Sequence, residues 1–426
     1  MFDLLIFDEA SQIYVEKAIP SIARCKKVVV AGDHKQLRPS NLGFGRITGI
    51  EEDLGEDEES FENAALEEES LLDLTRFKYK EVLLNYHYRS KYEELISFSN
   101  YAFYKGRLNV SPNTTKPETP PIEVIKIEDG LWDNRKNLKE AQAVVALVKE
   151  KLYAQTNDTY GVITFNTAQR DLILDLLDEE CQKDNKFASL YYNECERKEN
   201  GEDLGFFVKN IENVQGDERD CIIFSLAYAK NADGKVIHNF GWLNQVGGEN
   251  RLNVAISRSK KKIYIVTSIT AEQLSVDKLE NEGPKIFKKY LQYCNAISSG
   301  DYDLAQAVLK SFVNKDEKVD KNTSKQKLHK DIIAKIKSLG YAFDLNVGIG
   351  AYKIDIAIKD KAGNYVLGID FDDNIYRKYT NTRERDIHRQ KYLEGRGWKM
   401  YRLWTTRWWK DQDKELECIK SLLPTE

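Results

Sequence analysis

Two acids, Asp8 and Glu9, end the apolar run that opens the chain, "MFDLLIFDEASQ". A carboxylate pair at the end of a strand suits phosphoanhydride hydrolysis: one acid holds Mg²⁺ through its water shell and the other polarises the attacking water. The same letters, Asp-Glu-Ala-Ser, equally describe a helix N-terminus with capping acids. Other groups this chemistry needs lie further along. "GDHKQLRPS" follows a second apolar run and offers Gly32, Asp33 and Gln36, the last able to hydrogen-bond a γ-phosphate. "NYHYRS" supplies Arg89, and "NVQGDERDCIIFS" supplies a turn at Gly216 with Glu218 beside it. "RLNVAISRSKK" places Arg251 and Arg258 seven apart, a spacing that puts both on one face of a helix. Taken singly the arginines read as surface ion-pair partners. Their fixed order with the acids and polar turns is much harder to dismiss.

A second set of acids has a different logic. In "YKIDIAIK" the residues Ile354, Ile356 and Ile358 share one strand face and Asp355 takes the other; Asp370 and Asp372, two apart, share a face of the next strand. Three carboxylates converging from neighbouring strands make a hard-cation site. Mg²⁺ held by Asp355, Asp370 and Asp372 would activate water against a phosphodiester. Spacing alone is equally compatible with surface acids on edge strands.

The supporting secondary structure can be read from hydrophobic pattern. Residues 3–8 and "KKVVVAGD" read as buried strands around a helix over 12–25, which implies a parallel sheet covered on both faces. Residues 51–69, "EEDLGEDEESFENAALEEE", hold no Lys or Arg and read as a solvated insertion. "KEVLLNYHYRS" reads as a strand running into a polar turn, with a helix over 90–104. After the Pro/Thr-rich connector 111–121 the β/α alternation resumes: helix 137–153, strand 160–165, helix 167–181, a strand at "DCIIFSLAY", helix 250–259 and a strand at "KIYIVTS". A charged stretch, 313–327, interrupts the pattern. Beyond it lie helix 325–338, strands near 343–347, 352–358 and 365–371, helix 382–395 and the strand "WKMYRLW". The expected class is α/β. The expected domains are 1–80, a partial first sheet with the acidic insertion; 81–312, a second sheet; 313–324, a linker; and 325–426, a small α/β unit.

The 426 residues and 41% apolar content allow several cores. The net charge of −5 argues against a uniformly basic nucleic-acid binder, yet residues 325–426 hold 21 Lys and Arg against 15 Asp and Glu. The six cysteines include no C-x-x-C pair and support neither a zinc ribbon nor a disulfide framework. No apolar run reaches about 18 residues, the length that suggests a membrane span. These features lead us to expect a soluble, cytoplasmic protein with no membrane partner.

Taken together, the first 312 residues resemble a superfamily 1 helicase of the Upf1-like branch, read from its Walker B motif onward. "DEAS" is similar to motif II, "GDHKQLRPS" to motif III, "NYHYRS" to motif IV, "VQGDERD" to motif V and "RLNVAISRSK" to motif VI. "LISFSNYAFY", "FVKNIENVQGDERD" and "NFGWLNQVGGENRLNVAISRS" are similar as well. The resemblance implies RecA-like parallel sheets, the first truncated and the second complete, with ATP and Mg²⁺ as cofactors. It also implies single-stranded or partly duplex nucleic acid as partner. Arg89 and Arg258 would be fingers on the γ-phosphate, Gln36 would couple phosphate state to domain closure, and Glu218 would contact the ribose. Gly32, Asp33, Gly216 and Arg251 would complete the nucleotide site. Tyr86, Tyr88 and Trp242 are candidates for base stacking, although the core is the commoner place for such rings.

One part is missing from the pattern. The sequence holds no G-x-x-x-x-G-K-[ST], the loop whose backbone N–H groups and lysine hold the β- and γ-phosphates. The expectation is therefore the C-terminal portion of a longer or split helicase. Its Walker A half would come from another polypeptide, and this chain would have no ATPase activity alone.

The C-terminal unit resembles the restriction-endonuclease-like fold of the very-short-patch-repair type, with "RERDIHRQKYLEGRGWKMYRLWTTRWW" similar to that group's closing stretch. Asp355 fits the first acid of the PD-(D/E)xK pattern. In Asp370-Phe371-Asp372, however, an aspartate stands where the lysine belongs, and the usual His position holds Arg377. Arg385, Asp386 and Arg389 would face phosphates. The resemblance implies an ATP-dependent helicase with a nuclease-like appendage in repair or defence. Its rivals are a non-catalytic nucleic-acid-binding or regulatory subunit and a metal-dependent nuclease with a helicase remnant.

Overall fold

Residues 221–224 are apolar on both sides of one strand, and each side belongs to a different core. Ile222 and Phe224 pack with Ile163, Ile263 and Ile265, whereas Cys221 and Ile223 pack with Val162, Tyr264 and Val266. Such a strand has to lie inside a sheet roofed by helices on each face. The computed structural model has that arrangement. It describes residues 1–39, 70–76, 78–115, 117–236, 240–245, 247–276, 279–313, 323–349, 352–372 and 381–424. The acidic run 51–69, most of the expected linker, Arg377 and the side chain of Trp242 lie outside the described residues.

The first unit is a parallel pair, β1 (Leu5–Phe7) and β2 (Val28–Val30), joined through α1 (Val15–Ile22). One face packs on Ala10, Ala18 and Leu71. The other is bare, with Ile6 61% and its register partner Val29 48% exposed. The expectation of a sheet covered on both faces holds for one face only among the described residues.

The second unit is a five-stranded, wholly parallel sheet. Its strands are β3 (Ile122–Lys126), β4 (Tyr160–Thr164), β5 (Phe207–Asn210), β6 (Arg219–Ser225) and β7 (Ser259–Thr267), in the order β3-β7-β6-β4-β5. One face is covered by α2 (Glu93–Tyr104), α5 (Gly248–Ile256) and α6 (Glu282–Ser299), the other by α3 (Leu138–Tyr153) and α4 (Thr167–Lys183). Asn137 and Asn166 cap α3 and α4 by accepting the Glu140 and Gln169 N–H groups. Residues 80–90, expected as a strand, form none. Val82 and Leu84 are exposed, and the segment's single bridge joins Tyr86 to Asn109. Its apolar letters have no sheet neighbour to pair with.

The C-terminal unit carries α7 (Thr323–Lys337), β8 (Phe343–Val347), β9 (Ile354–Lys359), β10 (Tyr365–Phe371), α8 (Arg389–Gly395) and β11 (Met400–Leu403). The sheet order is β8-β9-β10-β11, antiparallel except for the last pair. A π-turn, Glu384–His388, leads into α8. Helices Thr405–Lys410 and Gln412–Leu422 were not expected, yet Trp408, Leu416 and Ile419 complete this core with Ile332, Ile356 and Ile369. Among the described residues no helix is long and apolar enough to cross a membrane.

Candidate active site

The two sheets bring opposite strand ends together. Asp8 and Glu9 directly follow β1, whereas Glu218 and Arg258 directly precede β6 and β7. Glu9 has a left-handed backbone, φ +49°, uncommon for a residue with a side chain. Its N–H donates to Asp8 Oδ1 at 2.8 Å, and a 3-10 turn comes next. Both acids are exposed.

The loop after β2 folds against that turn. A Cβ on Gly32 would sit 3.0 Å from Ser11 N and 3.1 Å from Ala10 N, so a glycine keeps the two loops in contact. Asp33 organises the rest of the loop: it accepts the Lys35 N–H at 2.9 Å, Gln36 Nε2 at 3.1 Å and the Tyr104 hydroxyl at 2.5 Å. Burial, then the Asp33 carboxylate, pushes the Tyr104 phenol far up, so it remains a donor. Asn253 on α5 donates to Lys35 O at 2.7 Å and to Tyr104 Oη at 2.9 Å. The loop with Gln36 is thereby docked on the five-stranded unit. Gln215 makes a second link. It donates to Glu9 Oε2 at 3.0 Å and accepts the Leu37 N–H at 3.3 Å. Gly216 behind it takes φ +88°, a turn glycine makes without strain.

Arg89 and Arg258 stand on either side of Ser257, with Glu218 beside Arg89. Arg89 Nε donates to Glu218 Oε2 at 2.6 Å and its Nη1 to Ser257 O at 3.2 Å; Lys260 holds the other Glu218 oxygen at 2.7 Å. Burial works to raise the Glu218 carboxyl, but Lys260 and Arg89 hold it below the usual range. His87, Tyr88, Arg89, Glu218 and Lys260 line an open cavity of about 580 Å³. Arg258 is buried, with Nε on Val254 O at 2.8 Å and Nη2 on Ser257 Oγ at 2.9 Å. Burial, then the Arg89 charge, lowers its guanidinium to about 10, against the pull of Glu9 and Glu218. It keeps its charge at neutral pH. Arg251 and Arg258 do not share a helix face: α5 stops at Ile256, and Arg258 stands in the turn beyond it. Arg251 instead donates to Glu212 at 2.6 Å.

In the C-terminal unit the acids have protein partners. Asp370 is buried and ion-paired to Arg389 at 2.5 Å. Burial raises its carboxyl and Arg389 opposes the rise. Asp355 accepts the Phe371 N–H at 2.7 Å, and Asp372 accepts the Thr405 N–H at 3.1 Å and its hydroxyl at 3.2 Å. Among the described residues no group of three or more His, Cys, Asp or Glu could hold a metal ion. The donors described there do not fit Mg²⁺ as they stand. The residues expected to face phosphates have protein partners as well. Arg389 is buried on Asp370, while Asp386 is held by Arg385 and Arg402 at 2.8 and 2.5 Å, which lowers its carboxyl to about 2.

Three family profiles match: AAA_11, an AAA domain, over residues 1–42; AAA_12, an AAA domain, over 64–270; and REase_MTES_1575 over 328–423. The chain thus carries AAA_11 and AAA_12 helicase domains followed by a REase_MTES_1575 nuclease-like domain. It is similar to the ATP-dependent helicase MG140 homolog of Mycoplasma pneumoniae, 32% identical over 99% of this chain and 37% of that one. It is likewise similar to the ATP-dependent helicase MG140 of Mycoplasma genitalium, 34% identical over 96% of this chain and 35% of that one. The probable helicase senataxin of Mus musculus is 28% identical over 62% of this chain and 9% of its own length. The chain thus spans about a third of the length of the MG140 relatives.

Several residues of this site carry no mark in the sequence. Gln215, Asn253 and Tyr104 all sit inside the motif stretches, one residue before Gly216, two residues after Arg251 and at the end of "LISFSNYAFY". Amide and phenol side chains have no spacing signal, so only the fold reveals what they bridge.

Proposed function

We propose that this chain supplies the acid-pair and arginine parts of an ATP-dependent helicase motor acting on nucleic acid, with the nucleotide in the cleft between β1–β2 and the five-stranded sheet. One observation carries the reading: Gln215 ties the Glu9 carboxylate behind β1 to the unit whose strands β6 and β7 directly follow Glu218 and Arg258. Asp8 would hold Mg²⁺, which supplies charge neutralisation at the phosphates. The fit is supported by an exposed carboxylate whose Oδ1 is already fixed by the Glu9 N–H. Glu9, held by Gln215, would take the proton of the attacking water. Arg258 keeps a permanent charge at the wall of the cleft. Arg89 now spends its charge on Glu218; with a phosphate present it would turn from Glu218 toward the developing negative charge, and Lys260 would keep Glu218 neutralised. Gln36, bonded to Asp33, reports phosphate state to the loop docked on Tyr104 and Asn253.

The sequence lacks the G-x-x-x-x-G-K-[ST] loop, so we infer that a further polypeptide segment completes the phosphate grip. The decisive experiment measures single-strand-stimulated ATP hydrolysis by the chain alone and by the chain combined with a polypeptide carrying that loop. Turnover is expected only in the combination, and its loss is expected in Asp8→Ala. Turnover by the chain alone that dies with Asp8→Ala would overturn the requirement for the loop.

For the C-terminal unit the Arg389–Asp370 pair favours a binding or regulatory role over cleavage, since the central acid is neutralised by protein. Cleavage that needs Mg²⁺ or Mn²⁺ and is lost in Asp355→Ala would overturn that role.

A further inference from the structure

Arg89 lies in a stretch with little structure of its own. It is tied to the second unit by three backbone bonds: Asn109 N–H to Asn85 O at 2.5 Å, His87 N–H to Asn109 O at 3.1 Å, and Lys91 N–H to Lys260 O at 2.7 Å. The carbonyls between these ties are taken by α8 of the C-terminal unit. Tyr392 Oη donates to His87 O at 2.6 Å and lies 3.1 Å from Asn109 O. Arg396 donates to Tyr88 O at 3.3 Å and also to Ser90 O. Those last two carbonyls flank Arg89 on either side.

The packing around these bonds is aromatic. The Tyr392 ring meets Tyr86 at 4.9 Å and Tyr88 at 5.3 Å, both edge-on. The Glu384 carboxylate, just before α8, accepts the hydroxyls of Tyr86 and Tyr352. His87 adds no competing charge. Burial, then Arg89 and Arg396, holds its imidazole down at about 3, and Ser90 N–H donates to its Nε2 at 3.0 Å. Arg389 and Tyr392 lie one turn apart on α8, and Arg396 caps its C-terminal end. The same short helix therefore grips Asp370 through Arg389 and the Arg89 backbone through Tyr392 and Arg396.

We propose that Tyr392 and Arg396 are positioning residues for Arg89, so that the nuclease-like unit acts as the mount of a motor arginine. This rests on the cleft reading for the role of Arg89, but not for how it is held. An irregular segment held by few backbone bonds lets the Arg89 backbone shift even while its guanidinium pairs with Glu218, and a misplacement of about 1 Å is enough to cost on the order of a hundredfold in rate. The grip on both flanking carbonyls removes that freedom.

The test monitors the Arg89 Nε–H resonance in ¹⁵N-arginine-labelled full chain, assigned by its loss in Arg89→Lys. Arg219 Nε–H, which donates to Gly205 O at 2.9 Å inside the second unit, is the internal control. In Arg396→Met the Arg89 Nε–H should exchange with water about tenfold faster, as expected when a local opening no longer breaks these bonds, while Arg219 is unchanged. Arg396→Lys should recover part of the protection. If Arg396→Met also disturbs Arg219, Tyr392→Phe, which removes only a hydroxyl, decides instead. In the combination with a phosphate-loop polypeptide, Arg396→Met should lower kcat at constant KM, and adding it to Arg89→Ala should cost nothing further. Unchanged exchange at Arg89, or additive losses in the double variant, would overturn the proposal. If no ATP is turned over in any preparation, the cleft reading has failed and the resonance alone decides the mounting.

Discussion

Gln215 donates to Glu9 across 3.0 Å although 206 positions separate them, and its other amide atom accepts the Leu37 N–H. One side chain therefore spans both loops of the first unit. Gln215→Ala should leave nucleotide affinity nearly intact and lower kcat of the completed motor by about a hundredfold, the low end of the contribution of a positioned base. Gln215→Asp, too short and like-charged against Glu9, should do at least as much damage. Steady-state ATP turnover at saturating single strand measures both.

The two arginines should separate under stability measurement. Arg89→Ala and Arg258→Ala should each lower turnover by about 10³, the scale of an arginine finger. The Arg89–Glu218 pair is about one-third exposed on each side and is worth at most about 1 kcal/mol. Arg258 is buried and bonded to Val254 O and Ser257 Oγ. Thermal unfolding should therefore shift clearly for Arg258→Ala and hardly at all for Arg89→Ala.

Removing Arg389 strands a buried carboxylate. Arg389→Ala should destabilise the C-terminal unit by about 3–5 kcal/mol. Replacing both partners, Asp370→Leu with Arg389→Met, should recover most of that loss. Urea unfolding monitored by the fluorescence of Trp398 and Trp408, both buried in this unit, reports it. A double variant no better than Arg389→Ala would show that the pair does more than neutralise itself.

Glu140 gives the second unit a pH dependence. Its carboxyl is wholly buried, where it accepts Ser225 Oγ at 2.9 Å and the Ala227 N–H at 2.6 Å, and burial raises it to about 7 despite these bonds. A raised folded value means the proton binds more tightly in the folded state. Stability from this group is full below about pH 4.5 and is lost as pH rises through about 7, a change of about 3 kcal/mol. Glu140→Gln should flatten that slope in urea titrations run from pH 4.5 to 8.

The centre of the parallel sheet was legible because its strands are apolar on both faces, and β4, β6 and β7 fall where "YGVITF", "DCIIFSLAY" and "KIYIVTS" put them; the edge strands β3 and β5, only partly buried, were not. Residues 80–90 misled because Val82 and Leu84 imitate a strand while lying in the open. The site was legible as far as charge and motif order reach: Arg89 pairs with Glu218, and Glu9 and Glu218 both pull on the Arg258 charge. Gln215, Asn253 and Tyr104 were not, because an amide or a phenol becomes specific only once folding gives it two partners. The grip of Tyr392 and Arg396 on the Arg89 backbone had no signature either, since its acceptors are carbonyls, which every residue has.

The side of β1–β2 that no described residue covers has a consequence for handling as much as for mechanism. Phe2, Leu4, Ile6 and Val29 are all largely exposed, and strand alternation and register place them together. A contiguous oily corner on an otherwise charged particle behaves like the tail of a surfactant. Copies of the chain should associate through it as concentration rises, with light scattering that grows on adding salt and falls with Ile6→Lys. The colloidal behaviour of a preparation is thereby written into two short strands, apart from any chemistry performed at their ends.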